Sequence, residues 1–139
     1  MSDLVNITIT LENTEARFEP GERISGEVTL TAMQEVKVTR VLLSLTWTTQ
    51  GKGTVDTATA SELTLHNGPT LSGIHTLPFR FHAPPAPHTY QGNLLKVLWL
   101  LKVRVDRPWA FDIYGQAGVL IAPRSVWPKL RFFPSDYME

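Results

Sequence analysis

Apolar and polar positions alternate with a period of two along most of the chain. Val5, Ile7, Ile9 and Leu11 alternate with Asn6, Thr8 and Thr10, the pattern of a strand with one buried face. Ile24, Gly26, Val28 and Leu30 repeat it over 24–31, and Gly26 inside that run marks a bulge or a close backbone approach. Before this run, Pro20-Gly21 predicts a turn with Gly21 at positive φ. From Val36 to Thr49 the parity slips: Val36 and Val38 share one phase, and Val41, Leu43, Leu45 and Trp47 share the other. A single long strand with a bulge near Thr39-Arg40 is the simplest repair. Thr54–Leu65, rich in Thr and Ala, is predicted as an edge strand, and His66-Asn67-Gly68-Pro69 as a turn. Gly73–His82 places His75, Leu77, Phe79 and Phe81 on one face. Ala83–His88, with three prolines, is an extended, polyproline-like connection. Ile113–Ala122 supplies the last strand.

The segment LLKVLWLLKVRVDRPW, Leu94–Trp109, departs from simple alternation. Leu95, Val97, Trp99, Leu101, Val103 and Val105 form one apolar face. The other face carries Lys96, Lys102, Arg104 and Asp106, yet also Leu98 and Leu100 at its centre. Adjacent apolar residues on an outward face mark an interaction surface, and burying each leucine is worth ~1.5–3 kcal/mol. Three covers are open: the C-terminal segment through Trp127, Leu130, Phe132 or Phe133; a second copy of the chain; or a different protein.

Seven or eight strands without a strong helix predict an all-β fold, a β-sandwich of two antiparallel sheets. The predicted core comprises Ile7, Ile9, Val28, Leu30, Leu43, Leu45, Trp47, Leu77, Phe79, Phe81, Val97, Trp99, Leu101, Val103 and Trp109. The 139 residues suit one domain, placed at 1–123, with a tail at 124–139 that packs on it or mediates association.

Charge and composition narrow the function classes. Thirteen basic and thirteen acidic residues cancel, although the first 70 positions carry −4 (5 basic, 9 acidic) and the remaining 69 carry +4 (8 basic, 4 acidic). Nucleic-acid binding favours a net basic domain, so no nucleic-acid partner is expected. The chain has no cysteine, which removes disulfides and thiolate chemistry and fits a reducing compartment. The first residues lack the pattern of a secretory signal, and no apolar run approaches the ~18 residues of a membrane span, so no integral membrane segment is expected and a cytoplasmic protein is.

Candidate chemistry is sparse. His66, His75, His82 and His88 have no carboxylate at metal-ligand spacing, so no metal site is assigned. No Gly-x-Ser-x-Gly elbow and no phosphate-cradling glycine loop occur; Gly51-Lys52-Gly53 is a hairpin turn. No catalytic residue and no cofactor are assigned. Asp106-Arg107-Pro108-Trp109 reads as a corner in which Pro108 ends the ladder, Trp109 caps the core and Asp106 pairs with Arg104, Arg107 or backbone.

Four stretches in order carry a family resemblance. FEPGERISGEVTL (Phe18–Leu30) resembles the aromatic-x-Pro-Gly-Glu and Ser-Gly-x-Val opening of arrestin-like N-terminal domains. VTRVLLSLTWTT (Val38–Thr49) is similar to their third strand. LPFRFHAPPAPHTYQG (Leu77–Gly92) is similar to their Leu-Pro-Phe-x-Phe segment, and VRVDRPWAFD (Val103–Asp112) to the strand end closing in Asp-Arg-Pro-Trp. The resemblance spans about Leu4 to Pro123. It implies an immunoglobulin-like sandwich in the superfamily of arrestins, arrestin-domain adaptors, the arrestin-like retromer subunit and bacterial sporulation-control proteins. The implied function is non-enzymatic: an adaptor or scaffold module that binds protein partners. Most relatives carry two such domains, so a single one is expected to pair with itself as a homodimer or with another protein. Its partner-binding residues are expected among Leu98, Leu100, Lys102, Arg104, Trp127, Phe132 and Phe133, with the Thr54–Leu65 edge open to strand addition. The alternative is a small-ligand or carbohydrate-binding sandwich, for which Tyr90, Tyr114, Trp127 and Tyr137 are the available aromatics.

Overall fold

The computed structural model describes residues 4–51, 55–92 and 95–132. Among the described residues, nine strands run in chain order: β1 (Asn6–Leu11), β2 (Arg17–Phe18), β3 (Arg23–Lys37), β4 (Arg40–Gly51), β5 (Val55–Asn67), β6 (Thr70–His82), β7 (Tyr90–Gln91), β8 (Leu95–Asp106) and β9 (Ile113–Ile121). A 3₁₀ helix, Arg124–Lys129, follows them. Strands β1, β3 and β6 form one sheet; β2, β9, β8, β4 and β5 form the other in that order, with β7 added beside β8. The two sheets pack as the expected all-β sandwich. β7 pairs with the start of β8 at Lys96 and Val97, and β9 takes over from Trp99 onward.

The alternation has its expected consequence. Ile24, Val28 and Leu30 of β3, Val41, Leu43 and Leu45 of β4, Phe79 and Phe81 of β6, and Trp99, Leu101, Val103 and Val105 of β8 are buried in one principal cluster. Trp99 lies opposite Trp47 on β4 and Val119 on β9. Its indole Nε1 donates to the Pro87 carbonyl at 2.8 Å, which ties the proline-rich connection to the core. Gly21 takes its predicted positive φ of 84°. Gly26 marks a close approach: a β carbon there would land on the Thr10 carbonyl oxygen of β1. The β3 bulge lies further on, between Ala32 and Val36.

Three expectations are corrected. Val36–Thr49 is not one strand. The chain leaves the three-stranded sheet at Val38, whose N–H donates to the Pro69 carbonyl, and enters the other sheet at Thr39, whose N–H donates to the Asp106 carbonyl. The parity slip is therefore a crossing between sheets, because Val38 and Val41 bury from opposite sides of one core. The sheets are not purely antiparallel, since β2 pairs parallel with β9. Trp109 does not cap the core: it is fully exposed, at φ 63° in the loop after β8. Strand parity stops at Asp106, so it says nothing about where Trp109 points.

Candidate interaction surface

The outward face of β5, β4 and β8 is built from aligned rows. Thr57, Thr48 and Leu98 make one row, and Thr59, Thr46, Leu100 and Gly118 the next. Glu62, Ser44, Lys102 and Gln116 follow, then Thr64, Leu42, Arg104 and Tyr114. Leu42, Leu98 and Leu100 are buried although they lie outside the principal cluster, with Leu98 at 8% exposure and Leu100 at 7%. Thr46 and Thr48 beside them are buried as well. Their hydroxyls find partners within the face. Thr57 Oγ1 donates to Thr48 Oγ1 at 3.2 Å, and Thr46 Oγ1 donates to Ser44 Oγ at 3.4 Å. A shallow cavity of about 230 Å³ lies over these rows, walled by Thr57, Thr59 and Glu62 on one side and Lys102, Arg104 and Tyr114 on the other. A wider cleft of about 620 Å³ on the three-stranded sheet is lined by polar side chains such as Glu12, Arg23, Glu27 and Arg80 together with Leu11, Pro78 and Phe79, and Ser25 Oγ there already donates to Glu12.

One end of this face is closed by a charged corner. Asp106 Oδ2 accepts from Arg40 Nε at 2.9 Å and from Arg104 Nη2 at 3.4 Å, and Asp106 Oδ1 lies 2.6 Å from Arg104 Nε, a close ion pair out of line for a hydrogen bond. Burial pushes the Asp106 carboxyl up, but the hydrogen bonds and charges of Arg40 and Arg104 outweigh it and hold the group below the usual aspartate range. The same hydrogen bond raises the Arg40 guanidinium above its ordinary value. The expected pairing with Arg104 is present. Arg107 instead braces the following loop, its N–H donating to Asp112 Oδ1 and its Nη1 to the Phe111 carbonyl, both at 3.2 Å.

β5 is the free edge of the six-stranded sheet and lends Thr57, Thr59 and Glu62 to the cavity wall. Two register shifts in its pairing with β4 leave Leu65 and Ala60 as extra residues on β5. Between Ala60 and the strand start, Val55–Thr59 pairs in unbroken register, from Thr46↔Thr59 to Gln50↔Val55.

No family model matches the chain. Its sequence is 24% identical over 148 aligned positions to the arrestin domain-containing protein 17 of Caenorhabditis elegans, covering 87% of this chain and 35% of that protein. The solved structure of Spo0M, a sporulation control protein from Bacillus subtilis, matches with a TM-score of 0.71 at 17% identity, covering 88% of this chain and 51% of the other. The fold is arrestin-like. This arrestin-like domain spans about half of the Spo0M chain and about a third of the curated relative.

Within the arrestin-like domain, the residues singled out from the sequence fall into two groups. Leu98, Leu100, Lys102 and Arg104 share the outward face of β8. Trp127 and Phe132 pack against the principal cluster on the other side of the sheet, together with Leu130. Trp127 Nε1 donates to the Ala122 carbonyl at 2.7 Å, and Arg124 sits 4.6 Å over its ring. Gln91 clasps Arg131 by accepting from its N–H at 2.8 Å and donating to its carbonyl. Phe133, Tyr137 and Thr54 lie outside the described residues. Tyr90, Tyr114 and Trp127 sit on β7, β9 and the 3₁₀ helix and form no common stacking platform. The sequence missed the exposed pair Trp109 and Phe111 and the role of Arg40. The Asp106 pairing had a signal in the preceding arginine, whereas Arg40 lies 66 positions away along the chain. Among the described residues, no His, Asp and Glu group could hold a metal ion, and no helix is long and apolar enough to cross a membrane.

Proposed function

We propose that this domain is a non-enzymatic adaptor module that captures an extended segment of a protein partner by strand addition at β5. The carrying observation is the free edge of β5 beside the threonine-walled cavity. An edge strand presents unpaired N–H and C=O groups that give affinity without sequence preference, while alternate side chains supply specificity. The two bulges restrict regular pairing to short stretches, chiefly Val55–Thr59, which limits indiscriminate edge-to-edge contact. Asp56 and Glu62 on β5 favour a partner segment with Lys or Arg opposite them. The likeness to an arrestin domain-containing protein supports an adaptor role, and the cysteine-free sequence suits a cytoplasmic setting.

Panning a displayed peptide library against the domain and mapping each binder by amide chemical shifts tests this reading. Binders should perturb β5 amides first, carry basic residues, and lose affinity when Asp56→Lys and Glu62→Lys are combined. Binders that map to the three-stranded sheet, or a domain that selects none, would refute it.

A further inference from the structure

Trp109 and Phe111 stand out from the rest of the surface, at 102% and 94% exposure. They occupy the loop between β8 and β9, and that loop is braced. The Arg107 N–H donates to Asp112 Oδ1, closing the loop at its base, and Arg107 Nη1 holds the Phe111 carbonyl. Trp109 itself sits at φ 63°, in the left-handed region that residues bearing a β carbon avoid. Two large aromatic side chains are thus presented outward on a fixed support. The described tail does not cover them. It meets Gln91 beside the start of β8, and the loop lies past the end of that strand, roughly 36 Å away at about 3.3 Å per residue.

The charges around the loop favour one occupant. Lys37 ends β3, Arg40 opens β4, and Arg104 and Arg107 flank the end of β8, so four cations gather at this end of the sandwich. The carboxylates here are Asp106, engaged by Arg40 and Arg104; Asp112, engaged by the Arg107 N–H; and Glu62 on β5, whose charge acts on Arg40 and which shares a row with a further cation, Lys102. With Glu35 in the nearby β3 bulge the carboxylates among the described residues number four, and the cations, with Lys102, number five. Tryptophan and its aromatic neighbours settle at the boundary between lipid headgroups and acyl chains, and basic residues behind them are drawn to anionic headgroups.

We propose that the Trp109–Phe111 loop is an interfacial anchor that docks this end of the domain on an anionic lipid surface. Trp109 and Phe111 enter the headgroup boundary, and Lys37, Arg40 and Arg107 face the lipid phosphates and carboxylates. The β5 edge lies on a different side of the sheet, so the domain could hold a partner segment while docked.

The test uses the full chain with vesicles of phosphatidylcholine, with and without phosphatidylserine. The protein should co-sediment with the phosphatidylserine vesicles, and brominated lipid should quench Trp109 emission. Trp109→Ala combined with Phe111→Ala should weaken binding at least about tenfold, since two aromatic anchors are lost. Lys37→Gln should weaken it about fivefold on phosphatidylserine vesicles only, as expected for one cation near an anionic surface. Both variants should melt as the parent does, because these side chains touch no core residue. No binding to either vesicle, unquenched Trp109, or binding unchanged in the double variant would overturn the proposal. So would a peptide from the β5 screen that protects Trp109 while vesicles do not, which would make the loop a protein contact.

Discussion

Leu100→Ala tests whether the outward face of β8 is a true second apolar layer. Leu100 is 7% exposed, between Thr46 on β4 and Gly118 on β9. Buried leucine-to-alanine changes cost about 2–5 kcal/mol, with the lower end where surroundings relax. This site faces outward, with small neighbours on both sides, so a cost of about 2 kcal/mol is expected. Exposed positions usually stay within about 0.5 kcal/mol. For a urea slope of about 2 kcal/mol/M, a value typical of small domains, the unfolding midpoint should fall by about 1 M. Leu98→Ala, at 8% exposure, should behave alike, while Thr76→Ala on the exposed face of β6 serves as the control. A midpoint shift for Leu100→Ala no larger than that of Thr76→Ala would refute the reasoning. It would mean that the leucine is not packed in solution.

Gly26→Ala should cost at least about 3 kcal/mol, because its β carbon meets the Thr10 and Leu11 backbone and β1 must move away; a urea midpoint close to wild type would contradict this. Asp106→Asn should destabilise the fold at neutral pH. Asp106 is held below its usual range, so its contribution is present above the unfolded aspartate value and fades as pH falls through the folded one. The gap in thermal midpoint between wild type and variant should therefore narrow in acid; a gap independent of pH would count against the ion-pair account. Trp127→Phe removes the bond to the Ala122 carbonyl and should cost about 1 kcal/mol, read as increased proteolysis after Pro123; unchanged cleavage would show that the tail is held by other contacts.

The sandwich was legible because period-two burial writes itself into β1, β3, β6 and β8. What escaped sequence reading was set by contacts distant in the chain. A parity slip at Val38–Val41 has two physical solutions, a bulge within one sheet or a step between two, and the residues there favour neither. The two-residue strands β2 and β7 are too short to show any period. The parallel pairing of β2 with β9 joins positions about a hundred residues apart. At the candidate surface, alternation along β8 correctly gathered Leu98, Leu100, Lys102 and Arg104 on one face. The threonine rows of β4 and β5 beside them depend on register, which the weak pattern of β5 does not encode. Trp109 shows the limit of alternation: once Pro108 ends the strand, an aromatic residue carries no sign of whether it turns inward or out.

Native-state amide hydrogen exchange can show whether the edge of β5 is open for a partner strand. In the free protein, alternate amides from Val55 to Asn67 should exchange quickly, those facing away from β4, while their neighbours bonded to β4 are protected. Adding a bound peptide should slow the fast set alone. Uniform protection of all β5 amides in the free protein would contradict the account, because the edge would already be covered.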